Sequence, residues 1–227
     1  MAIATEAVNG DAPLPEKKST VAWREAFAPI PEVDKRVLPK KWVVRGKPGI
    51  LPAVFSTMID EGKNISFLHM EADRGSASLI TNATGVDLSK TPILRWRWRV
   101  MTLPTGADGR VRTKDDQAIG IYIGTGSTFN NKSVSYRWDT ETPKGTEGNC
   151  AYGLGTVKVK WYTLKNKADA NGGGWFTEER NVAEDFRQAW GFYPEEVYVS
   201  ISCNSQYTDS QAAADLSWIE FVSFPSE

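Results

Sequence analysis

Arginine and tryptophan alternate without a break from Arg95 to Arg99. An extended strand sends successive side chains to opposite faces, so it alone separates the indoles from the guanidinium groups. Short alternating or continuously apolar runs of the same kind recur along the chain, broken by turn residues. They predict strands over 41–45, 53–59, 65–72, 77–81, 93–101, 118–124, 133–139, 156–164, 175–179, 197–203 and 217–223. One helix is expected after Asn181, where Asn181 and Glu184 stand in capping-box spacing, Val182, Phe186 and Trp190 recur every four residues, and Gly191 supplies the stop. It should cover one end of the fold. Many short strands and one helix predict an all-β domain, two antiparallel sheets packed as a jelly-roll β-sandwich. No period of 20–50 residues repeats, which argues against a propeller or solenoid. The domain is expected over 21–227, with residues 1–20, rich in Glu, Pro, Gly, Asn and Lys, as a flexible tail.

Composition narrows the chemistry. With 27 basic and 28 acidic side chains in 227 residues the formal net charge is −1, so the strongly basic face of a nucleic-acid binder is not expected. A hydrophobic share of 41% is enough to build a core. The single histidine, His69, weighs against Ser-His-Asp triads and zinc hydrolases, and on its strand it reads as an ordinary packed or surface residue. Cys150 and Cys203 are too few for a disulfide scaffold; one bridge and two separate thiols both fit. No cofactor and no metal site is expected. No apolar run reaches the roughly 18 residues of a membrane span, so a soluble chain with no membrane insertion is expected. The first residues lack a basic start followed by an apolar run, so no secretory signal is expected as written. A periplasmic or secreted location follows only if a signal has been removed.

The residues that carry chemistry are aromatic and polar. Trp96 and Trp98 are expected in the inter-sheet core, leaving Arg95, Arg97 and Arg99 on an outer face where forked donors suit carboxylates or sugar hydroxyls. Tyr136 and Trp138 share a face, and Tyr122, Trp161 and Tyr162 add aromatics on other predicted strands. Nine Trp, seven Tyr and nine Phe exceed what a modest sandwich needs inside, and rings on a rigid sheet can stack on sugar rings. The expected function is therefore noncatalytic binding of a glycan or other small polar, polyhydroxylated ligand through Arg97, Asp116, Tyr122, Tyr136, Trp138, Lys158 and Asn204. Predicted loops over 102–116, 140–155 and 204–214 should contribute to it. The alternative is a carbohydrate-active enzyme. A lyase would use Tyr136 as acid or base with Arg97 neutralising a uronate, and a hydrolase would pair Asp115 or Asp116 with Asp139, Glu141, Glu178 or Glu179. A structural or protein-interaction module is the third class. Asp115 and Asp116 could also ligate calcium, but without the oxygen spacing of an EF-hand. Gly172-Gly173-Gly174 lacks the Lys-Ser of a phosphate loop and reads as a hairpin tip. Asn82 and Asn131 stand in the glycosylation-acceptor pattern.

In order along the chain, Leu94-Arg95-Trp96-Arg97-Trp98-Arg99-Val100, Asp115-Asp116-Gln117-Ala118, Ser135-Tyr136-Arg137-Trp138, the run from Trp175 to Phe186 and the stretch from Val199 to Phe221 resemble the bacterial family catalogued as domain of unknown function 3047. The resemblance covers Trp23 to Phe221 and implies a β-sandwich with no assigned activity. Where the family tends to carry Thr-Asp-x-Asp-Asn-Thr, this chain has Cys203-Asn204-Ser205-Gln206-Tyr207-Thr208, which puts amides in place of two carboxylates. Trp218 stands where an Asp is expected. More loosely, the last strand and the Arg-Trp strand look like those of jelly-roll carbohydrate-binding modules, a likeness of fold only.

Overall fold

The computed structural model describes residues 19–27, 38–60, 62–127, 130–170 and 172–224; the expected tail lies, up to residue 18, outside them. In chain order the elements are β1 (Thr20–Glu25), β2 (Val43–Gly46), β3 (Val54–Asp60), β4 (Ile65–Asp73), β5 (Ser76–Asn82), β6 (Ile93–Thr102), β7 (Ile119–Ser127) and β8 (Asn130–Trp138). There follow β9 (Glu147–Tyr152), β10 (Val157–Lys165), β11 (Phe176–Asn181), α1 (Val182–Trp190), β12 (Tyr198–Asn204) and β13 (Gln211–Ser223). One sheet runs β11-β6-β13-β4-β3, and β1 pairs with the C-terminal part of β13. The other runs β2-β5-β12-β7-β8-β10-β9. The chain crosses repeatedly between layers, so β4, β13 and β6 are neighbours in the first sheet while β5, β12 and β7 are neighbours in the second. That is the winding of a jelly-roll sandwich.

Three local findings modify the sequence reading. Pairing is antiparallel except between β8 and β10, which run parallel with β9 added outside β10 as an antiparallel edge. Within the expected loops lie β9 and the first residues of β13. Gly172-Gly173-Gly174 is not a hairpin tip, because β10 and β11 belong to different sheets and the segment crosses between them.

The core forms where the inner faces meet. Trp96 and Trp98 on β6 are fully buried, together with Leu68, Met70, Leu216, Ile219 and Phe221 from their own sheet. From the facing sheet come Leu79, Ile119, Ile121, Ile123, Val134, Tyr136, Trp138, Val199 and Ile201. Trp96 stacks on Tyr136 with centroids 5.2 Å apart, and Trp98 meets Trp138 edge-on at 5.5 Å. These ring pairs bridge the two layers and bury large apolar area at well-defined geometry. Helix α1 packs Val182, Ala183 and Phe186 into the core. Its start is half a capping box: Asn181 Oδ1 accepts from the Glu184 amide at 3.0 Å, while the Glu184 carboxylate is taken by Arg187 at 2.6 Å. Gly191 closes it in the left-handed conformation, φ 84°. Cys150 and Cys203 are separate thiols, and burial pushes the Cys203 thiol well up.

Candidate functional site

The outer face of the second sheet is hollow because of what its strands send outward. On β5 these are Ser76, Ser78, Ile80 and Asn82; on β12, Tyr198, Ser200, Ser202 and Asn204; on β8, Asn131 and Ser133. Their alternating partners Leu79, Val199, Ile201, Cys203 and Val134 fill the core. A floor of short side chains leaves a cleft of about 690 Å³, lined also by Tyr122, Tyr152, Tyr198 and Tyr207 and by Arg45 and Lys47. A second depression of about 840 Å³ adjoins it and shares Lys47, Asp115, Tyr152 and Tyr207. A third, of about 270 Å³, shares Asn82, Gly126 and Tyr198 at the other end. Together they make one long groove across the sheet.

Three aromatic rings lie down on this face because the residue beneath each is glycine. Tyr198 pairs in register with Gly124, and a Cβ on Gly124 would sit 2.2 Å from the Tyr198 hydroxyl oxygen. Trp161 pairs with Gly148, whose Cβ would meet the indole at 2.3 Å. Tyr122 lies along its own strand over Gly120, with a would-be Cβ 2.9 Å from the ring. Aromatic cover of a strand glycine fixes the ring flat against the sheet. The Tyr198 hydroxyl is bonded to Asn131 Oδ1 at 2.6 Å, and burial raises the pKa of the Tyr122, Tyr152 and Tyr198 phenols.

A buried ionic network sits under the groove. Arg137, with no exposed surface, donates from Nη1 to Asp115 Oδ1 at 2.8 Å and lies 4.9 Å from the centroid of the Trp161 ring. Asp115 also accepts from Gln117 at 2.7 Å and from the Tyr152 hydroxyl at 3.0 Å. Asp139 accepts from Thr163 Oγ1 at 2.6 Å; burial pushes its carboxyl up and the Arg137 charge pulls it back down. The arrangement holds Tyr152 at the junction of the two larger depressions.

The seven residues expected to bind divide among three places. Tyr122 and Asn204 line the cleft, Asn204 accepting from Ser76 Oγ at 2.6 Å. Tyr136 and Trp138 face the core, so they are corrected from binding face to interior; the Tyr136 hydroxyl donates to Asp185 at 2.7 Å. Asp116 is enclosed and accepts from the amides of Tyr207 and Thr208, each at 2.8 Å. It shapes the turn that brings Tyr207 to the rim. Lys158 is exposed between Val157 and Val159, which face the groove, and so points to the other side of β10. Arg97 is on the outer face of the opposite sheet, 5.7 Å from the Trp175 centroid.

The parity expected of 95–99 holds, Trp96 and Trp98 inward and the arginines outward, but that face is not the grooved one. Arg95 pairs with Glu179 at 2.7 Å and Arg99 with Asp215 at 2.6 Å. Tyr136 and Arg97 lie on different sheets and different sides, so the lyase arrangement built on them does not form. Among the candidate second acids, Asp139 is buried beside Arg137, Glu141 pairs with Lys167, and Glu178 and Glu179 pair with Lys165 and Arg95. Sequence reasoning missed Arg45, Lys47, Tyr152, Tyr198 and Tyr207; the repeated Ser-x-Ser at 76–78, 133–135 and 200–202 and the Gly120-Ile121-Tyr122-Ile123-Gly124 run were the available signal.

On the arginine face His69 does more than pack. Its Nδ1 meets Asp215 at 2.6 Å and its Nε2 meets Glu71 at 3.0 Å. The bond to Asp215 raises the His69 pKa, against the opposing effect of burial. A raised folded pKa gives stability that is complete below the unfolded value of about 6.5 and is lost as pH rises through the folded value. Wild type should therefore exceed His69→Gln by about 1–2 kcal/mol near pH 5.5, with the margin shrinking on the alkaline side. Urea unfolding of both proteins across that range checks it; a margin that grows with pH would contradict it.

The fold has distant counterparts among solved structures. It is similar to a family 11 carbohydrate-binding module from Clostridium thermocellum in complex with a β-1,3-1,4-mixed-linked tetrasaccharide, at 12% identity and TM-score 0.43, covering 86% of this chain and 96% of that one. It is similar to a metagenome-derived family 12 endoglucanase at 8% identity and TM-score 0.42, covering 91% and 100%. The xyloglucanase domain of NopAA, a type three effector from Sinorhizobium fredii, is similar at 9% identity and TM-score 0.38, covering 82% and 99%. At such identities the likeness is one of strand arrangement alone. No curated protein matches the sequence. A family model matches residues 52–220, from before β3 to the last third of β13, and by that match the chain belongs to the family described as protein of unknown function (DUF3047).

Proposed function

We propose that the groove of the second sheet binds a glycan without transforming it. The observation that carries the reading is the set of tyrosine rings laid flat on glycines, Tyr198 over Gly124 and Tyr122 over Gly120, above a floor of serine and asparagine side chains. Flat rings offer apolar faces to a sugar, and short hydroxyls and amides bond its equatorial oxygens without filling the space. The three adjoining depressions, about 270, 690 and 840 Å³, together exceed a small-molecule pocket and suit several residues of a chain. Among the described residues the central cleft is lined by a single carboxylate, Asp115, already held by Arg137, Gln117 and Tyr152. Hydrolysis by two carboxylates flanking one bond requires a second, which favours binding over that chemistry.

Affinity electrophoresis through gels cast with soluble polysaccharides tests the reading. The protein should be retarded in at least one gel. Tyr122→Ala, truncating a half-buried surface ring, should bind that polymer about tenfold more weakly, from roughly 1–2 kcal/mol of lost apolar contact, at an unchanged melting profile. Free migration in every gel, or equal retardation of Tyr122→Ala, would contradict it.

A further inference from the structure

The groove is charged in one sense on a protein that is nearly neutral. Its central cleft carries Arg45 and Lys47, and the adjoining depression carries Lys47, Arg110 and Arg112. Among the described residues the acids along it are Asp115 and, at the far end, Glu196. Two of these charges are already balanced. Asp115 is bonded to the buried Arg137 guanidinium, and Arg110 reaches Asp108 through Nε at 2.8 Å and Nη2 at 2.6 Å. Arg45, Lys47 and Arg112 make no ion pair with any described residue, while the whole chain has a net charge of −1. The groove therefore carries a local excess of positive charge.

Lys47 is placed where a ligand charge would count most. It lines both larger depressions, beside Tyr152 and Tyr207, with its ammonium 5.5 Å from the Tyr207 ring centroid. Burial lowers its pKa more than the Asp116 and Asp115 carboxylates raise it, so the ammonium is short of compensating charge. An anion entering there would supply it. Arg45 and Arg112, on either side, offer planar forks that match carboxylates.

Resting on the groove reading above, we infer that the ligand is an acidic, uronate-bearing polysaccharide, its carboxylates met by Arg45, Lys47 and Arg112 while its rings lie on Tyr122 and Tyr198. A carboxylate on successive sugars matches cations set along a groove; a neutral glycan would bring these three cations no counter-charge. A single-stranded nucleic acid is also anionic and can stack on tyrosine, but the serine and asparagine floor complements sugar hydroxyls, which favours the polysaccharide.

Calorimetric titration of the full chain with four probes tests this: polygalacturonate, the same polymer with its carboxyls methyl-esterified, a neutral β-glucan, and an oligothymidylate. Polygalacturonate should bind tightest, with affinity falling as salt is added, and esterification should weaken it at least about tenfold. Arg45→Gln and Arg112→Gln should each lower polygalacturonate affinity about tenfold, the loss of one charge-assisted contact. Lys158→Gln, which removes the same charge from the other side of β10, should leave it unchanged. Equal binding of the esterified or neutral polymer, with the arginine variants unaffected, would overturn the acidic assignment and leave a glycan groove standing. Tighter binding of oligothymidylate would overturn it in favour of nucleic acid. Failure of every polysaccharide to bind would remove the groove reading, and this inference with it.

Discussion

Arg137→Met is expected to destabilise the fold by about 3–5 kcal/mol at neutral pH, the usual penalty for removing one partner of a buried ion pair. The guanidinium is fully buried, bonded to Asp115 and close in charge to Asp139. Methionine fills much of the volume but leaves two enclosed carboxylates without a cation. Asp139 then favours its protonated form, since burial already pushes it up and only Arg137 and hydrogen bonds oppose it. Loss of the cation raises the folded-state pKa of Asp139 further, and such a group is destabilising above its unfolded pKa and less so as acid protonates it. The deficit should therefore be largest near pH 8 and shrink toward pH 5. Guanidinium unfolding at the two pH values measures it; a deficit independent of pH would mean that Arg137 acts by packing on Trp161 alone. Arg137→Lys should recover little, because an ammonium cannot stack on the indole and reach Asp115 as the planar fork does.

Trp96→Ala should cost about as much, roughly 3–5 kcal/mol, for a different reason. Trp96 has no exposed surface and touches rings of both sheets, Trp98 at 5.4 Å and Tyr136 at 5.2 Å between centroids. Truncation opens a void at the point where β6 and β8 face each other, and fixed backbones on both sides prevent collapse. Trp96→Phe separates ring from nitrogen. The indole Nε1 is buried with no hydrogen-bond partner among the described residues, so phenylalanine loses area but also removes an unsatisfied donor worth about 1–3 kcal/mol. Its cost should be well below that of alanine. Thermal and chemical unfolding of the pair checks this, and equal losses would show that area alone matters.

What the sequence made legible follows from what a strand imposes. The two-residue period placed Trp96 and Trp98 inside and the arginines outside, because parity is a property of the chain itself. Parity does not say which sheet's outer face is hollow, and the arginine face turned out to be filled by its own ion pairs and by Trp175. The same ambiguity misled at 135–138. Tyr136 and Trp138 share a face, as read, but the outward side belongs to Ser133 and Arg137, and Arg137 is itself covered by Trp161. Of the strands missed, β9 and the start of β13 have weak propensity of their own. Glu147-Gly-Asn-Cys-Ala-Tyr152 has no β-branched residue and is held extended by its pairing with β10. Gln211-Ala-Ala-Ala-Asp215 is extended because β4 pairs with it throughout and β6 from Ala213 on. The groove's tyrosines could not be gathered from sequence, since Tyr122, Tyr152, Tyr198 and Tyr207 meet only through long-range register. The glycines and serines beneath them were readable as a face too thin to be flat.

The central claim is that ligand enters through the groove of the second sheet, and backbone amide shifts of the 15N-labelled chain titrated with polygalacturonate oligosaccharide measure it most directly. Perturbations should concentrate on β5, β7, β12 and the segments 45–47 and 204–207, with β6 and β11 still. Shifts gathered instead around Arg97 and Trp175, or none at a saturating oligosaccharide concentration, would contradict it.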